Sequence, residues 1–323
     1  MNKEDLTNRI GFILEEGEKE LQLFGFVSGD DTPYRISLSP DLESELIDVF
    51  AFGVSRYIIE KEYEIVNYST ADERMNRYYL YDLQEMPDRM ACMSLVIGNH
   101  NLNCFDFNHH TVSEINSLIA LISDGNGNTF TIYKVLSPVE KIAKSANLLL
   151  AKIGIGNDVL EEVQDPLLKI GPKFQIVFSE ANGEGAYVFL ESSIVEGQFD
   201  LHQILNNQAT RDISIIERTY LLKDVTKLYQ YINKASFSKR LVGVMKSSKV
   251  IREGLSKDQI FEFIENDEEL RSDLKIKEDN SGERFIDITS LKSAKRFLDL
   301  LNDDFVYSTL TSQKYQAVDK DER

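Results

Sequence analysis

The pattern of apolar and polar positions predicts two helices within the first sixty residues. Apolar side chains show helical spacing over residues 6–26. Ser39 followed by Pro40 is typical of a helix start, because serine caps free backbone N–H groups and proline fits the first turn. The apolar face that follows predicts a helix over residues 40–59.

Shorter segments up to residue 200 have the alternation, or the aromatic and β-branched composition, of strands. We expect strands at residues 34–38, 63–68, 78–83, 117–123, 129–136, 159–163, 174–178, 186–191 and 194–199. The run at residues 124–128 (DGNGN) and the pair Asn182-Gly183 predict hairpin turns, because asparagine and glycine accept positive φ angles. Ser137-Pro138 predicts the start of a helix that runs to about residue 152.

The pattern after residue 200 is mainly helical. Apolar side chains recur at intervals of three and four from Ile213 to Ile232, and residues 237–249 predict a second helix. Ser256, with glutamine three residues later, has the pattern of a capping box that opens a third helix. A strand is expected at residues 285–288, and a last helix begins after Thr289 or Ser290 and ends near Leu301.

These elements predict an α+β fold, with a mixed or antiparallel sheet and flanking helices in the N-terminal part and a mainly helical C-terminal part. We expect an acidic α+β domain at residues 1–200, which includes a small β region at 153–200. A mainly helical domain follows at residues 201–315, with a polar tail at 316–323. Whether residues 1–100 form a domain of their own stays open.

Charge divides the chain at the same position. The formal net charge is −18 at pH 7. Residues 1–200 contain 15 Lys/Arg and 33 Asp/Glu, whereas residues 201–323 contain 21 of each. Such a chain is not coated in positive charge, but salt screens charges beyond about 8 Å, so a local basic face is compatible with this total.

The composition also indicates the cellular compartment. The two cysteines, Cys92 and Cys104, are expected to be reduced thiols, as in a cytosolic protein. Acids interrupt the apolar run near the N-terminus, which is unlike a signal peptide, and no segment has the length and apolarity of a membrane span. We therefore expect a cytoplasmic protein that reaches the inner face of the cell membrane only through a partner.

The most distinctive chemical feature is an acid-free basic stretch, residues 225–252. Its 28 residues contain Lys227, Lys234, Lys239, Arg240, Lys246, Lys249 and Arg252. If residues 237–249 form one helix, Lys239, Lys246 and Lys249 lie near one another. A second basic group on the last predicted helix consists of Lys292, Lys295 and Arg296.

Clustered cations favour DNA, because each neutralised phosphate releases condensed counterions. The predicted DNA-binding residues are Lys234, Lys239, Arg240, Lys246, Lys249, Arg252, Lys292, Lys295 and Arg296. The alternatives are a solvated helix face and a docking surface for the acidic part of the same chain.

No catalytic signature is present in the sequence. His100, Cys104, Asp106, His109 and His110 lie within eleven residues, but their spacing fits no zinc pattern, so we interpret them as structural. There is no GxSxG motif and no P-loop. We expect no enzymatic activity, catalytic residue, metal or cofactor; a metal-dependent nuclease and a scaffold that does not bind DNA remain the alternatives.

The closing segment resembles the end of the DUF4868 family, in which a helix runs into the sequence Leu-Asn-Asp-Asp, followed by an aromatic or aliphatic pair, a Ser-x-Leu-Thr element and a tyrosine. The matching positions are Asn302, Asp303, Asp304, Ser308, Leu310, Thr311 and Tyr315. We interpret this motif as structural, because its acids follow a helix and its hydroxyl groups can satisfy local backbone groups.

Within that family the chain resembles the cytosolic component of the Kiwa anti-phage defence system. The resemblance implies an effector that binds DNA non-specifically and works with a membrane-embedded partner, KwaA, to block replication or expression of phage DNA. It supplies no catalytic residue. We also expect the chain to form a homo-oligomer.

Overall fold

The computed structural model describes residues 1–69, 76–98, 102–106, 108–110, 114–136, 151–153, 160–162, 170–181, 183–307 and 314–316. The chain divides into two compact units. The first comprises Met1–Val66, Arg74–Tyr81 and Met86–Phe199, and the second comprises Asn67–Glu73, Asp82–Glu85 and Asp200–Arg323. The second unit therefore contains two short stretches from the N-terminal part of the sequence.

An eight-stranded sheet is the centre of the first unit. Its strands are β1 (Lys19–Val27), β2 (Tyr34–Ile36), β3 (Glu64–Asn67), β4 (Arg77–Leu80), β5 (Ile115–Asp124), β6 (Thr129–Val135), β9 (Ile176–Ala181) and β10 (Glu184–Phe189). They are arranged in the order β2-β1-β5-β6-β9-β10-β4-β3. The first six neighbouring pairs in this order, from β2-β1 to β10-β4, are antiparallel. Two further short strands, β7 (Ala151–Ile153) and β8 (Leu160–Glu162), pair with each other.

Four described helices accompany this sheet: α1 (Lys3–Ile10), α2 (Pro40–Val54), α3 (Asp88–Leu95) and α4 (Ser192–Gln198). Helices α1 and α2 share one apolar core with the strands, in which Leu6 and Phe50 are fully buried beside Phe130 and Ile132 of β6. Thr131, which lies between these two residues of β6, points to the opposite face of the sheet. There its hydroxyl donates a 3.1 Å hydrogen bond to the carbonyl of Met93 in α3.

The two predicted hairpins are confirmed. Asp124 closes the β5–β6 turn by accepting hydrogen bonds from the backbone N–H groups of Asn126 (3.0 Å) and Asn128 (2.8 Å). The Asn128 side chain donates a further 2.8 Å hydrogen bond to the Asp124 carboxylate. This bond has the largest effect among those that lower the pKa of Asp124. Gly183 turns the β9–β10 hairpin with a φ of +79°, a conformation that favours glycine.

The second unit is mainly helical. Its helices are α5 (Leu201–Glu217), α6 (Thr226–Tyr231), α7 (Ala235–Ser247), α8 (Lys249–Glu253), α9 (Lys257–Asn266), α10 (Glu268–Asp273) and α11 (Leu291–Leu301). Two antiparallel hairpins accompany them: β11 (Lys275–Glu278) with β12 (Arg284–Asp287), and β13 (Phe305–Tyr307) with β14 (Lys314–Gln316). The predicted capping box at Ser256 and the cap at Ser290 are confirmed. The α+β fold class is therefore confirmed, with the sheet first and the helices after it.

Two segment predictions in the first unit are wrong. The helix expected over residues 6–26 ends as α1, passes through a 3₁₀ turn at Gly11–Leu14 and gives way to strand β1. Because β1 is buried on both faces, it lacks the polar alternation that would have distinguished it from a helix. The strand expected at residues 194–199 belongs to α4, and most of the helix expected from Ser137 lies outside the described residues.

Two helix predictions in the second unit also need correction. The single helix expected from Ile213 to Ile232 is divided into α5 and α6, because the backbone carbonyl of Leu221 between them accepts a 2.8 Å hydrogen bond from Ile286 of β12. The helix expected over residues 237–249 ends at Ser247. Ser248 instead caps α8, so Lys249 is not on the same helix as Lys239 and Lys246.

Gly53 in α2 allows a close approach to the loop before β9, and this contact generates a prediction. A Cβ atom at residue 53 would overlap the carbonyl oxygen of Pro172 and lie 3.0 Å from the Phe174 ring. We expect Gly53→Ala to lower the free energy of unfolding by about 1–3 kcal/mol, measured by urea denaturation, because the neighbouring backbone cannot yield. Gly11→Ala, where a Cβ meets nothing within 4 Å, is the matched control. An equal loss in both variants would contradict the prediction.

Candidate nucleic-acid interface

Helix α7 positions three of the predicted DNA-binding residues, Lys239, Arg240 and Lys246. Its apolar side chains Phe237, Leu241 and Val242 are fully buried. The Ser238 hydroxyl donates a 2.8 Å hydrogen bond to the side-chain oxygen of Asn206, which holds α7 against α5. The three cationic side chains are only partly exposed. The partners of each cation therefore decide whether it can meet a ligand.

The guanidinium group of Arg240 is neutralised inside the unit. Its Nη2 atom contacts Asp299 Oδ1 and lies 3.6 Å from Asp304 Oδ2. The side chains of Asp299 and Asp304 are only 7% and 9% exposed. Asn302 donates a 2.8 Å hydrogen bond to Asp304 Oδ1 and so orients this carboxylate. Arg240 is therefore a structural cation in this fold.

Arg296 lies near the second carboxylate oxygen of Asp299. Its Nη1 atom lies 3.6 Å from Asp299 Oδ2, and its Nη2 atom lies 2.7 Å from Glu269 Oε1. Asp273 lies 3.8 Å from Arg296 Nε and also accepts Lys292 Nζ at 2.7 Å. Burial raises the pKa of Asp299, although the two arginines oppose this shift. Arg296 and Lys292 are thus paired with carboxylates as well.

Lys246 and Lys239 meet residues from the two short N-terminal stretches of the second unit. Lys246 Nζ lies 2.8 Å from Asp82 Oδ2 and also contacts the Asp82 carbonyl. Lys239 Nζ lies 4.7 Å from the centre of the buried Tyr68 ring. Burial raises the pKa of the nearby Asp212 to about 6, against the opposing charges of Arg211 and Lys246. Asp82 and Tyr68 lie outside the acid-free stretch at residues 225–252, so the local sequence did not predict these contacts.

The remaining predicted cations have a different environment. Lys234 and Arg252 are exposed, and Lys295 is partly exposed. Arg252 donates to the carbonyl of Ser247 at 3.1 Å, and Lys234 Nζ lies 5.8 Å from the Tyr231 ring centre. Among the residues that the structure describes, no carboxylate forms an ion pair with these three cations. Of Lys249 only the backbone, at the start of α8, is described.

The first three positions of the closing motif, Asn302–Asp304, lie directly after α11. Asp303 has a φ of +55°, which reverses the chain, and the backbone N–H of Asp304 then returns to the Asp299 carbonyl at 3.0 Å. The Ser247 hydroxyl lies 2.8 Å from Asn302 Oδ1, so the motif also contacts the end of α7. This geometry supports a structural role. Tyr315 lies in β14, whereas the motif positions Ser308, Leu310 and Thr311 fall outside the described residues.

Two histidines of the cluster at residues 100–110 each lie near one carboxylate. His109 Nδ1 lies 4.0 Å from Asp106 and His110 Nδ1 lies 3.4 Å from Glu114, while His100 falls outside the described residues. Within the described ranges, no three His, Cys, Asp or Glu side chains converge as metal ligands.

No helix in the described ranges combines the length and apolarity needed to cross a membrane.

Comparison of the sequence with known proteins identifies a family. The family described as Kiwa protein KwaB-like matches residues 108–311, which is more than half of the chain. One relative is Kiwa protein KwaB from Escherichia coli O55:H7 (strain RM12579 / EPEC). It is 22% identical over 255 residues, which cover 78% of each chain. No solved structure matches.

The shared carboxylate of Asp299 generates a stability prediction. We expect Asp299→Ala to lower the free energy of unfolding by about 3 kcal/mol, the lower end of the cost of breaking a buried ion pair, because the arginines lose their shared carboxylate but keep Asp304, Glu269 and Asp273. Urea denaturation measures this loss. Glu269→Ala is the control: Glu269 is 66% exposed and Arg296 keeps its other partners, so the loss should stay below about 1 kcal/mol. Similar losses would show that Asp299 has no special role.

Proposed function

The chain belongs to the Kiwa protein KwaB-like family, and from that membership we propose that it is a cytoplasmic component of a Kiwa anti-phage defence system. In this proposal it binds DNA without sequence preference and blocks replication or expression of phage DNA. It acts by binding and not by catalysis. Family membership supports the defence role, and the distribution of cations supports the DNA-binding role.

The observation that carries DNA binding is the group of exposed cations that have no carboxylate partner in the described structure. Lys234 and Arg252 are exposed at the start and end of the α7–α8 segment. Lys227 is also exposed and forms no ion pair within 4 Å with a described carboxylate, although its charge contributes, after the hydrogen bonds from Thr226, to the lowered pKa of Asp224. Phosphate oxygens would supply the counter-charge that these side chains lack.

The paired cations set a limit on this interface. Arg240, Lys246, Lys292 and Arg296 could reach phosphates only by leaving their carboxylate partners. Leaving the buried carboxylates of Asp299 and Asp304 unpaired is costly, so Arg240 and Arg296 support the fold and not the ligand. The Lys292 side chain is 78% exposed, so its ion pair with Asp273 is weaker. With about three phosphates neutralised per chain, log K should fall with log salt at a slope of roughly −3. Self-association would multiply this number.

Charge reversal at the unpaired cations tests the proposal. We expect the double variant Lys227→Glu/Lys234→Glu to bind duplex DNA at least roughly tenfold more weakly and to lose about 1.8 from the salt slope, since each phosphate contact contributes about 0.9. Fluorescence anisotropy with a labelled duplex at several salt concentrations measures both quantities. Neither change should unfold the protein, because both residues lie at helix N-termini, where glutamate is favourable.

A matched control changes the same amount of charge elsewhere in the second unit. Arg271→Glu/Lys275→Glu alters two exposed cations outside the basic stretch and should leave affinity and slope nearly unchanged. Equal weakening in both double variants would assign the effect to net charge and refute the interface. Incubating wild-type protein with plasmid and Mg²⁺ or Mn²⁺ tests for cleavage: we expect intact plasmid, and linear or nicked products would establish the nuclease alternative.

We propose further that the chain self-associates and binds the membrane-embedded partner KwaA. The family name supports a partner within the Kiwa system. Expression with KwaA should move the chain into the membrane fraction, whereas expression alone should leave it in the soluble fraction, where sedimentation should give a mass above 37.0 kDa. The same fraction with and without KwaA would contradict the partner, and a monomer mass would contradict self-association.

A further inference from the structure

Tyr220 is the most exposed large apolar side chain among the described residues. It is 70% exposed. Exposed aromatic rings cost free energy in water, since they keep a large apolar surface hydrated. An exposed ring of this size is accessible to a ligand.

The backbone of Tyr220 also adopts a conformation that disfavours tyrosine. Its φ is +55°, in the left-handed region that glycine and asparagine populate readily and that bulky residues avoid. The turn needs this conformation, because α5 ends at Glu217 and the backbone N–H of Tyr220 donates to the Glu217 carbonyl at 3.2 Å. The turn does not need the ring, so glycine would satisfy the same backbone at lower cost.

The residues that follow hold this turn in place. Leu221 and Leu222 are only 2% and 6% exposed. The Leu221 carbonyl accepts the 2.8 Å hydrogen bond from Ile286, and Leu222 forms a bridge with the same strand residue. Tyr220 is thus presented outward from an anchored turn. Such pre-organisation lowers the entropy that a side chain loses when it binds.

The cations of the segment that carries Tyr220 indicate the class of ligand. Arg240 and Lys246 are paired with carboxylates, but Arg218, Lys227, Lys234 and Arg252 are exposed and form no ion pair with a described carboxylate. An exposed aromatic ring within a basic segment is the combination that single-stranded nucleic acids require, since cations follow the phosphates and rings stack on bases.

We infer that Tyr220 stacks on an unpaired nucleobase, so that this protein binds single-stranded nucleic acid, or duplexes with unpaired bases, more tightly than phosphates alone would allow. The inference rests on the proposed DNA-binding function and deepens it. The cations supply affinity for any phosphate backbone, and Tyr220 adds a preference for accessible bases. A protein partner for Tyr220 is the competing explanation.

The test compares three labelled probes of equal length: a thymine oligonucleotide, an abasic strand and a duplex. The abasic strand keeps the phosphates but lacks the bases, so the affinity ratio of thymine to abasic strand measures stacking alone. We expect wild-type protein to prefer the thymine strand by roughly tenfold and Tyr220→Gly to remove this preference. Tyr220→Phe should keep the preference and Tyr220→Leu should lose it, because stacking needs the ring.

The outcomes distinguish failure of the stacking role of Tyr220 from failure of the proposed DNA-binding function. If wild-type protein binds none of the probes, the proposed DNA-binding function fails and the inference fails with it. If it binds the duplex but Tyr220→Gly leaves the thymine-to-abasic ratio unchanged, only the stacking role fails. A changed sedimentation mass of Tyr220→Gly with an unchanged ratio would assign the ring to a protein contact and overturn the inference.

The same variant excludes a purely structural role for the ring. Because glycine relieves the strained backbone, Tyr220→Gly should unfold at the same urea concentration as wild type or higher. A lower midpoint would show that the ring supports the fold and would count against the inference. The double variant Lys227→Glu/Lys234→Glu should weaken all three probes alike and leave the thymine-to-abasic ratio intact.

Discussion

The second unit depends on one buried carboxylate, that of Asp299, which Arg240 and Arg296 share. A buried charge is tolerated only when it is paired, so this aspartate requires α7 and α11 to stay together. Asp304 and its Asn302 partner complete the arrangement on the Arg240 side, and Glu269 and Asp273 complete it on the Arg296 side. The closing motif therefore connects α7 to α11, which explains its position directly after α11.

This network changes the meaning of the basic stretch. Seven Lys/Arg without an intervening acid suggest a strongly positive helix, but the fold supplies acids from distant parts of the sequence. Asp82, Asp299 and Asp304 each neutralise a cation of α7. The cations that remain for a ligand are those at the ends of helices, such as Lys234 and Arg252. An interface of this type is small, sensitive to salt and dependent on additional contacts, which an exposed aromatic ring can provide.

Local signals identified the elements that depend on local physics. The Asp124 turn and Gly183 specify hairpins because their backbone angles allow few alternatives, and Ser39, Ser256 and Ser290 specify helix starts because their hydroxyl groups satisfy free N–H groups. Strand β1 was missed because burial on both faces removes the alternation that marks a strand. The break after Glu217 was missed because a distant residue, Ile286, interrupts a pattern that is helical throughout.

The sequence by itself determined the α+β class, the hairpins, the helix caps, the charge asymmetry and the family resemblance, since each follows from composition or from neighbouring residues. Only the tertiary structure decided which cations are available. Pairing between Arg240 and Asp299 or Lys246 and Asp82 joins residues separated by 59 and 164 positions, and no local pattern encodes such contacts. Tertiary structure also revealed Tyr220, because an apolar residue in a helical pattern is normally buried. Here the left-handed turn and the anchored leucines direct its ring to solvent.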